Sequence, residues 1–235
     1  MQTKFIIANI TIVVQHKNIK NLHLKVLPPD GEVCVSAPYD FPLDAIRLLL
    51  IKKIAWIKAQ QQKFADQPRQ LPREYVSGEN HYFRGRRYQL KVIQQTGRSS
   101  IEIKGINTLQ MHVSPKLSQA GRQLLLDAWY RKELMLQLDK IVLKRAKQMQ
   151  LAIPEYRIKK MKTRWGTCNI QAKRIWLNLE LIKKPPECLE YVVVHELTHF
   201  FERTHNKRFQ NFMTKFMPNW RTQKKILNET ELANN

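Results

Sequence analysis

Tyr191 to Val194 form an unbroken apolar run that leads straight into His195-Glu196-Leu197-Thr198-His199. That junction constrains the fold more than any other stretch of the chain. A helix that is apolar on every side must be buried, so the two histidines and the glutamate that follow enter a core, where unpartnered polar groups are costly. Four helical residues make one turn plus about 40°, so His195 and His199 project from one face and can reach a single cation. Glu196 is rotated about 100° from His195, which suits a residue that touches a water on that cation and not the cation itself.

A third nitrogen completes a catalytic zinc site that keeps one position open, and His205 is the candidate. Six further residues on an uninterrupted helix turn the direction by about 240° and climb about 9 Å. The helix, expected over Glu187–Arg203 and opened by Pro185-Pro186, must therefore end near Glu202–Thr204. Asn206 is placed to cap a following helix, Lys207–Met217, which stops at Pro218.

The rest of the chain reads as a β-rich region followed by helices. Phe5–Val14, Leu22–Leu27 and the alternating Val33, Val35 and Ala37 predict strands, with Pro28-Pro29-Asp30-Gly31 as a turn, and a meander is the economical pairing. Ile46, Leu49, Leu50, Ile54 and Ile57 then recur at helical steps between Pro42 and Phe64. A linker follows from Gln67 to Pro72, and strand patterns resume over Asn80–Val92 and Ser100–Val113. Ser114-Pro115 signals the start of a long helix that reaches about Gln150. Strands are expected at Tyr156–Lys162 and Ile175–Leu181, with a glycine-bearing turn over Thr163–Asn169 between them. No internal repeat is visible. The expected class is α+β: a β-rich N-terminal region with a helix, residues 1–113, and a mostly helical zincin-like domain with a small sheet, residues 114–235.

Composition narrows the setting. With 235 residues and 43% apolar side chains the chain can bury a core of its own. No apolar run approaches the roughly 18 residues of a membrane span, and the start lacks a secretory signal. Cys34, Cys168 and Cys188 fit neither a disulfide framework nor a CxxC knuckle. A cytoplasmic protein without a membrane is expected. The 41 Lys+Arg against 19 Asp+Glu give a formal charge of +22, a field that attracts polyanions and steers anionic substrates.

The run from Thr163 to Leu227 resembles the YgjP-like metallopeptidase domain family, which is related to the SprT-like and WLM-like zinc peptidases. The resemblance is carried by Arg164-Trp165-Gly166-Thr167-Cys168, Leu177-Asn178-Leu179, Val193-Val194 with the HExxH motif, His205, Arg208-Phe209 and Met217-Pro218. It implies that His195, His199 and His205 bind one Zn²⁺ and that Glu196, the catalytic residue, activates water. The metzincin pattern places glycine three residues after its second histidine, where Glu202 stands here, so another turn must deliver the third ligand. Arg164, Trp165 and Asn178 are the candidate substrate-binding residues.

A zinc metallopeptidase acting on a peptide substrate is the expected function. An extended peptide could add to Ile175–Leu181 as an edge strand. Alternatively, Lys159, Lys160, Lys162, Arg164, Arg203, Lys207 and Arg208 could bind phosphates, and YgjP-like proteins are also grouped with nucleoside triphosphate (UTP) pyrophosphatases, which would make a nucleotide the substrate. A third reading is a non-catalytic, basic nucleic-acid-binding module with a structural metal.

Overall fold

The computed structural model describes residues 2–27, 30–65 and 73–229; the expected linker from Gln67 to Pro72 and the Pro28-Pro29 half of the first turn lie outside them. Its elements are β1 (Gln2–Ile7), β2 (Ile10–His16), β3 (His23–Leu27), β4 (Glu32–Ala37) and α1 (Leu43–Ala65), then β5 (Asn80–Phe83), β6 (Arg86–Gln94), β7 (Ser100–Lys104), β8 (Thr108–Val113) and α2 (Gln119–Gln148). The C-terminal part adds β9 (Glu155–Lys159), β10 (Gly166–Asn169), β11 (Arg174–Asn178), a 3-10 helix (Leu179–Lys183), α3 (Pro186–Thr198), α4 (Lys207–Phe216) and α5 (Trp220–Glu229). The class is α+β, as expected. No helix among the described residues is long and apolar enough to cross a membrane.

The first sheet runs β1-β2-β4-β3, with β2 and β4 parallel and both outer pairs antiparallel. This corrects the meander. β2 and β4 carry the buried residues Ile12, Val14, Val33, Val35 and Ala37, so they take the centre and leave β1 and β3 at the edges. The second sheet repeats the arrangement as β5-β6-β8-β7, again with a parallel central pair and antiparallel flanks. Each sheet is followed by a long helix. Each also opens with a two-residue turn in which both residues have positive φ: Ala8 and Asn9 in the first, Arg84 and Gly85 in the second, the geometry that matches strand twist in tight hairpins. The chain therefore contains a repeated ββββα arrangement that its residues do not show as a period.

The chain divides at Leu71/Pro72 into two compact units; the 113/114 boundary read from the change of secondary structure falls inside the second. The first unit is built on Ile12, Val14, Val33, Val35, Ile46, Leu50 and Ile57. In the second, one core joins β5–β8, α2, β11 and α3 to α5. The stripe Leu126, Tyr130, Leu134, Leu138, Val142 and Ala146 recurs every four residues along α2, the spacing of one helix face. The cap of α2 is Ser118, whose Oγ accepts from Gly121 N at 3.2 Å; Ser114-Pro115 instead makes a turn closed by Leu117 N donating to Ser114 O.

Four hydrogen bonds position the C-terminal elements. Arg84 N donates to Ile182 O at 2.8 Å and Gly85 N to Lys183 O at 3.2 Å, which pins the β5–β6 turn to the segment entering α3. Arg145 donates through Nε to Glu190 Oε1 at 2.9 Å and through Nη1 to Phe216 O at 3.1 Å, tying α2 to α3 and the end of α4. In the third sheet the order is β10-β11-β9. β11 is central, antiparallel to β10 and parallel to β9, so the strand expected to be an edge lies in the middle. It also ends at Asn178 and not Leu181, because Asn178 Oδ1 accepts from Glu180 N and caps the 3-10 helix. The turn or bulge expected over 163–169 contains β10, one of the two edge strands.

Candidate metal centre

α3 begins with Pro186 in its first turn, where a missing N–H costs nothing, and buries Cys188, Leu189, Tyr191 to Val194 and Leu197. It stops at Thr198, earlier than the sequence suggests. Thr198 Oγ1 donates to Val194 O at 2.7 Å, and Thr198 O accepts from both Phe201 N and Glu202 N, so the next residues coil as tight turns. That early stop sends the chain back over the helix end and delivers His205. Asn206 then caps α4, accepting from Phe209 N at 3.0 Å.

The result is a triangle of imidazoles. Ring centroids of His195, His199 and His205 lie 5.0, 4.8 and 4.9 Å apart, pair by pair. His195 Nε2 and His205 Nε2 are 3.0 Å apart, and one nitrogen from each of the three rings lies within 4.8 Å of the others. Phe209, almost fully buried, sits 4.9, 4.9 and 4.8 Å from the three rings and forms their floor. The spacing of the sequence does not reveal this role.

His195 and His199 are prepared to act as neutral donors. Burial first, and then the neighbouring His199, His205 and Lys224, pushes His195 down to about 3. Burial also lowers His199, opposed by its backbone contacts. His199 Nδ1 meets Glu202 O at 3.1 Å; a carbonyl only accepts, so Nδ1 carries the proton and Nε2 keeps its lone pair for the triangle. Glu202, which occupies the glycine position of the metzincin pattern, thus orients a ring through its backbone. Three imidazole nitrogens converging this closely are the donor set of a divalent transition metal such as zinc, and the residues fit the ion.

Glu196 is 5% exposed. Burial raises its carboxyl to about 8, against the opposing pull of Arg164. It lies beside Gly166 of β10, where an added Cβ would stand 2.5 Å from Glu196 Oε1 and 2.8 Å from its Cγ. Only glycine permits that approach. Cys168, two residues along the same strand, is raised to about 12 by burial and by Glu196, and so stays a thiol.

His195, Glu196, His199 and His205 all line one cleft of about 990 Å³. β10 and the residues around it, from Thr163 to Gln171, form one wall; Tyr191, Val192, Arg203, Lys224, Leu227 and Asn228 contribute the other. Arg164 and Trp165 are therefore at the cleft. Asn178 is not: it is fully buried, its Nδ2 donating to Met161 O and Arg164 O at 2.8 Å each. Its side chain is consumed in holding the 161–165 loop, so it shapes the cleft through Arg164 and Trp165 and meets no substrate. Of the basic residues considered for phosphates, only Arg164 and Arg203 line the cleft. Lys160 pairs with Asp127 at 2.7 Å. Lys224 was missed because it lies on α5, far along the chain from the motif.

A structural comparison finds two partly similar metallopeptidase zymogens. Abylysin from Pyrococcus abyssi is 21% identical with a TM-score of 0.35, the match covering 39% of this chain and 90% of that one. Jannalysin from Methanocaldococcus jannaschii is 22% identical with a TM-score of 0.35, covering 39% of this chain and 95% of that one. No curated protein matches the chain. The model of the YgjP-like metallopeptidase domain matches residues 20–230, nearly the whole sequence and every residue of the cleft, and the chain belongs to that family.

Proposed function

We propose that this protein is a zinc-dependent peptidase in which His195, His199 and His205 hold one Zn²⁺ and Glu196 is the general base. The observation that carries the reading is the convergence of three imidazole nitrogens within 4.8 Å in the same cleft as a buried carboxylate. When bound, zinc supplies Lewis acidity, which acidifies water to near neutrality and polarises a substrate carbonyl.

The chain's own residues do the rest. His199 is held by Glu202 O and His195 is kept neutral by burial, so both offer lone pairs without first losing a proton. Beside a dication held by the three histidines, the Glu196 carboxyl returns to its ionised form. That carboxylate takes a proton from the attacking water as the water's oxygen bonds to the carbonyl carbon. It then passes that proton to the amide nitrogen as the C–N bond breaks. Gly166 fixes where the carboxylate stands. β10, with its outer edge unpaired in the sheet, gives an extended peptide a strand to join, in place of the Ile175–Leu181 strand. Three free thiols, Cys34, Cys168 and Cys188, support a reducing, cytoplasmic setting.

Glu196→Gln tests the reading. Cleavage of an unfolded protein should fall by about 10³-fold or more while one zinc per chain remains. Unchanged cleavage would contradict it.

A further inference from the structure

The cleft holds an imbalance of charge. Arg164, Arg203 and Lys224 line it, and among the described residues its only carboxyl group is that of the buried Glu196. The chain pairs its cations elsewhere: Lys160 with Asp127 at 2.7 Å, Lys183 with Glu180 at 2.6 Å, Arg145 with Glu190 at 2.9 Å. By contrast none of the three cleft cations has an ion pair among the described residues; Lys224 only rests 5.9 Å from the Trp220 ring. All three are exposed and come from separate elements, Arg164 just before β10, Arg203 in the turn between α3 and α4, and Lys224 on α5.

We propose that these residues make the cleft selective for peptides with carboxylate side chains flanking the scissile bond. This rests on the peptidase reading and names its substrate class. A substrate paired along β10 passes between the two walls, and alternate side chains of an extended peptide reach to opposite sides. Glutamate and aspartate can there meet guanidinium or ammonium groups that form no ion pair among the described residues, as charge-assisted hydrogen bonds. Neutral substrates leave the cations solvated and gain nothing; basic substrates are repelled by them and by the bound dication. The cleft favours a peptide over a nucleotide, because the edge strand β10 along it offers backbone pairing that only an extended peptide can use.

The test uses the zinc-loaded full chain with Glu196→Gln, which binds without cutting, and two labelled peptides that differ only in Glu/Asp against Gln/Asn around one site. Fluorescence anisotropy should show the acidic peptide binding about ten-fold tighter at low salt, the gap closing at high ionic strength. In the R203E/K224E variant the ratio should fall to about one or invert. Lys159→Glu, on β9 and outside the cleft, should keep the ratio, which separates local recognition from the overall charge of +22. Equal binding of the two peptides overturns the proposal, as does loss of the ratio in Lys159→Glu. If the unsubstituted enzyme still cuts both peptides equally well, the peptidase reading survives and only the selectivity falls. If it cuts no peptide and instead releases pyrophosphate from nucleoside triphosphates in a Glu196-dependent way, both fall together.

Discussion

Gly166 and Glu196 touch so closely that no other residue fits at position 166: a Cβ there would stand 2.5 Å from Glu196 Oε1, 2.8 Å from Cγ and 2.9 Å from Cδ. Gly166 has no positive φ, so the requirement is space and not backbone freedom. Glycine lets the edge strand lie against the base and fixes its carboxylate from one side. Gly166→Ala should displace Glu196 and cut peptidase activity by about 100-fold, with metal content unchanged. Steady-state kinetics beside elemental analysis checks this; full activity in the variant would remove Gly166 from the positioning of the base.

Phe209 supports all three metal-site rings at 4.8 to 4.9 Å. Phe209→Ala leaves a cavity under them and should cost about 3–5 kcal/mol of stability. It should also weaken metal binding, because the rings lose their common floor. Phe209→Leu fills most of the space and should retain both. Thermal unfolding and competition with a chelator measure the two effects separately.

Asn178 is the hub of the loop that carries Arg164 and Trp165. Its side chain donates to Met161 O and Arg164 O and accepts from Met161 N and Glu180 N. Asn178→Ala strands several of these buried groups and should destabilise the protein by about 2–4 kcal/mol. Its effect on catalysis should appear mainly as a raised KM, since the 161–165 loop loosens while the histidines stay in place. A fall in metal content with no change in KM would contradict this assignment.

His81 sets an acid limit on stability. It is 2% exposed on β5 and stacks on Tyr75 at 5.9 Å. Its Nδ1 accepts from Arg73 Nη1 at 3.3 Å, and its Nε2 faces Glu79 Oε2 at 3.5 Å. Burial, with Arg73 and Lys183 nearby, depresses it to about 3. Between about pH 6.5 and 3 the unfolded chain therefore binds a proton that the folded chain does not. The stability this site contributes is complete above pH 6.5 and is lost as the pH falls towards 3, by roughly 5 kcal/mol in total. Replacing His81 with Phe should flatten the pH dependence of denaturant midpoints in that window; an unchanged slope would show that other groups cause it.

The metal-binding helix and its two histidines were legible because a helix of period 3.6 places residues four apart on one face. His205 was legible by geometry too, since only a terminated helix could return it, and Asn206 marked the restart. The sheet order was not, because hairpin signals report local pairs and say nothing of the parallel contacts of β2 with β4 and β6 with β8. Gly166-Thr167-Cys168-Asn169 reads as a turn since four small and polar residues show no alternation, yet pairing with β11 makes them an edge strand. Lys224 and Phe209 reach the site through tertiary packing of α5 and α4, which no spacing around the motif encodes.

The most direct test is the metal content of protein purified without added metal, compared with His195→Ala, His199→Ala and His205→Ala. One zinc per chain is expected in the parent, with its loss, or a steep drop in affinity, in each of the three. A full complement of zinc in all three variants would contradict it.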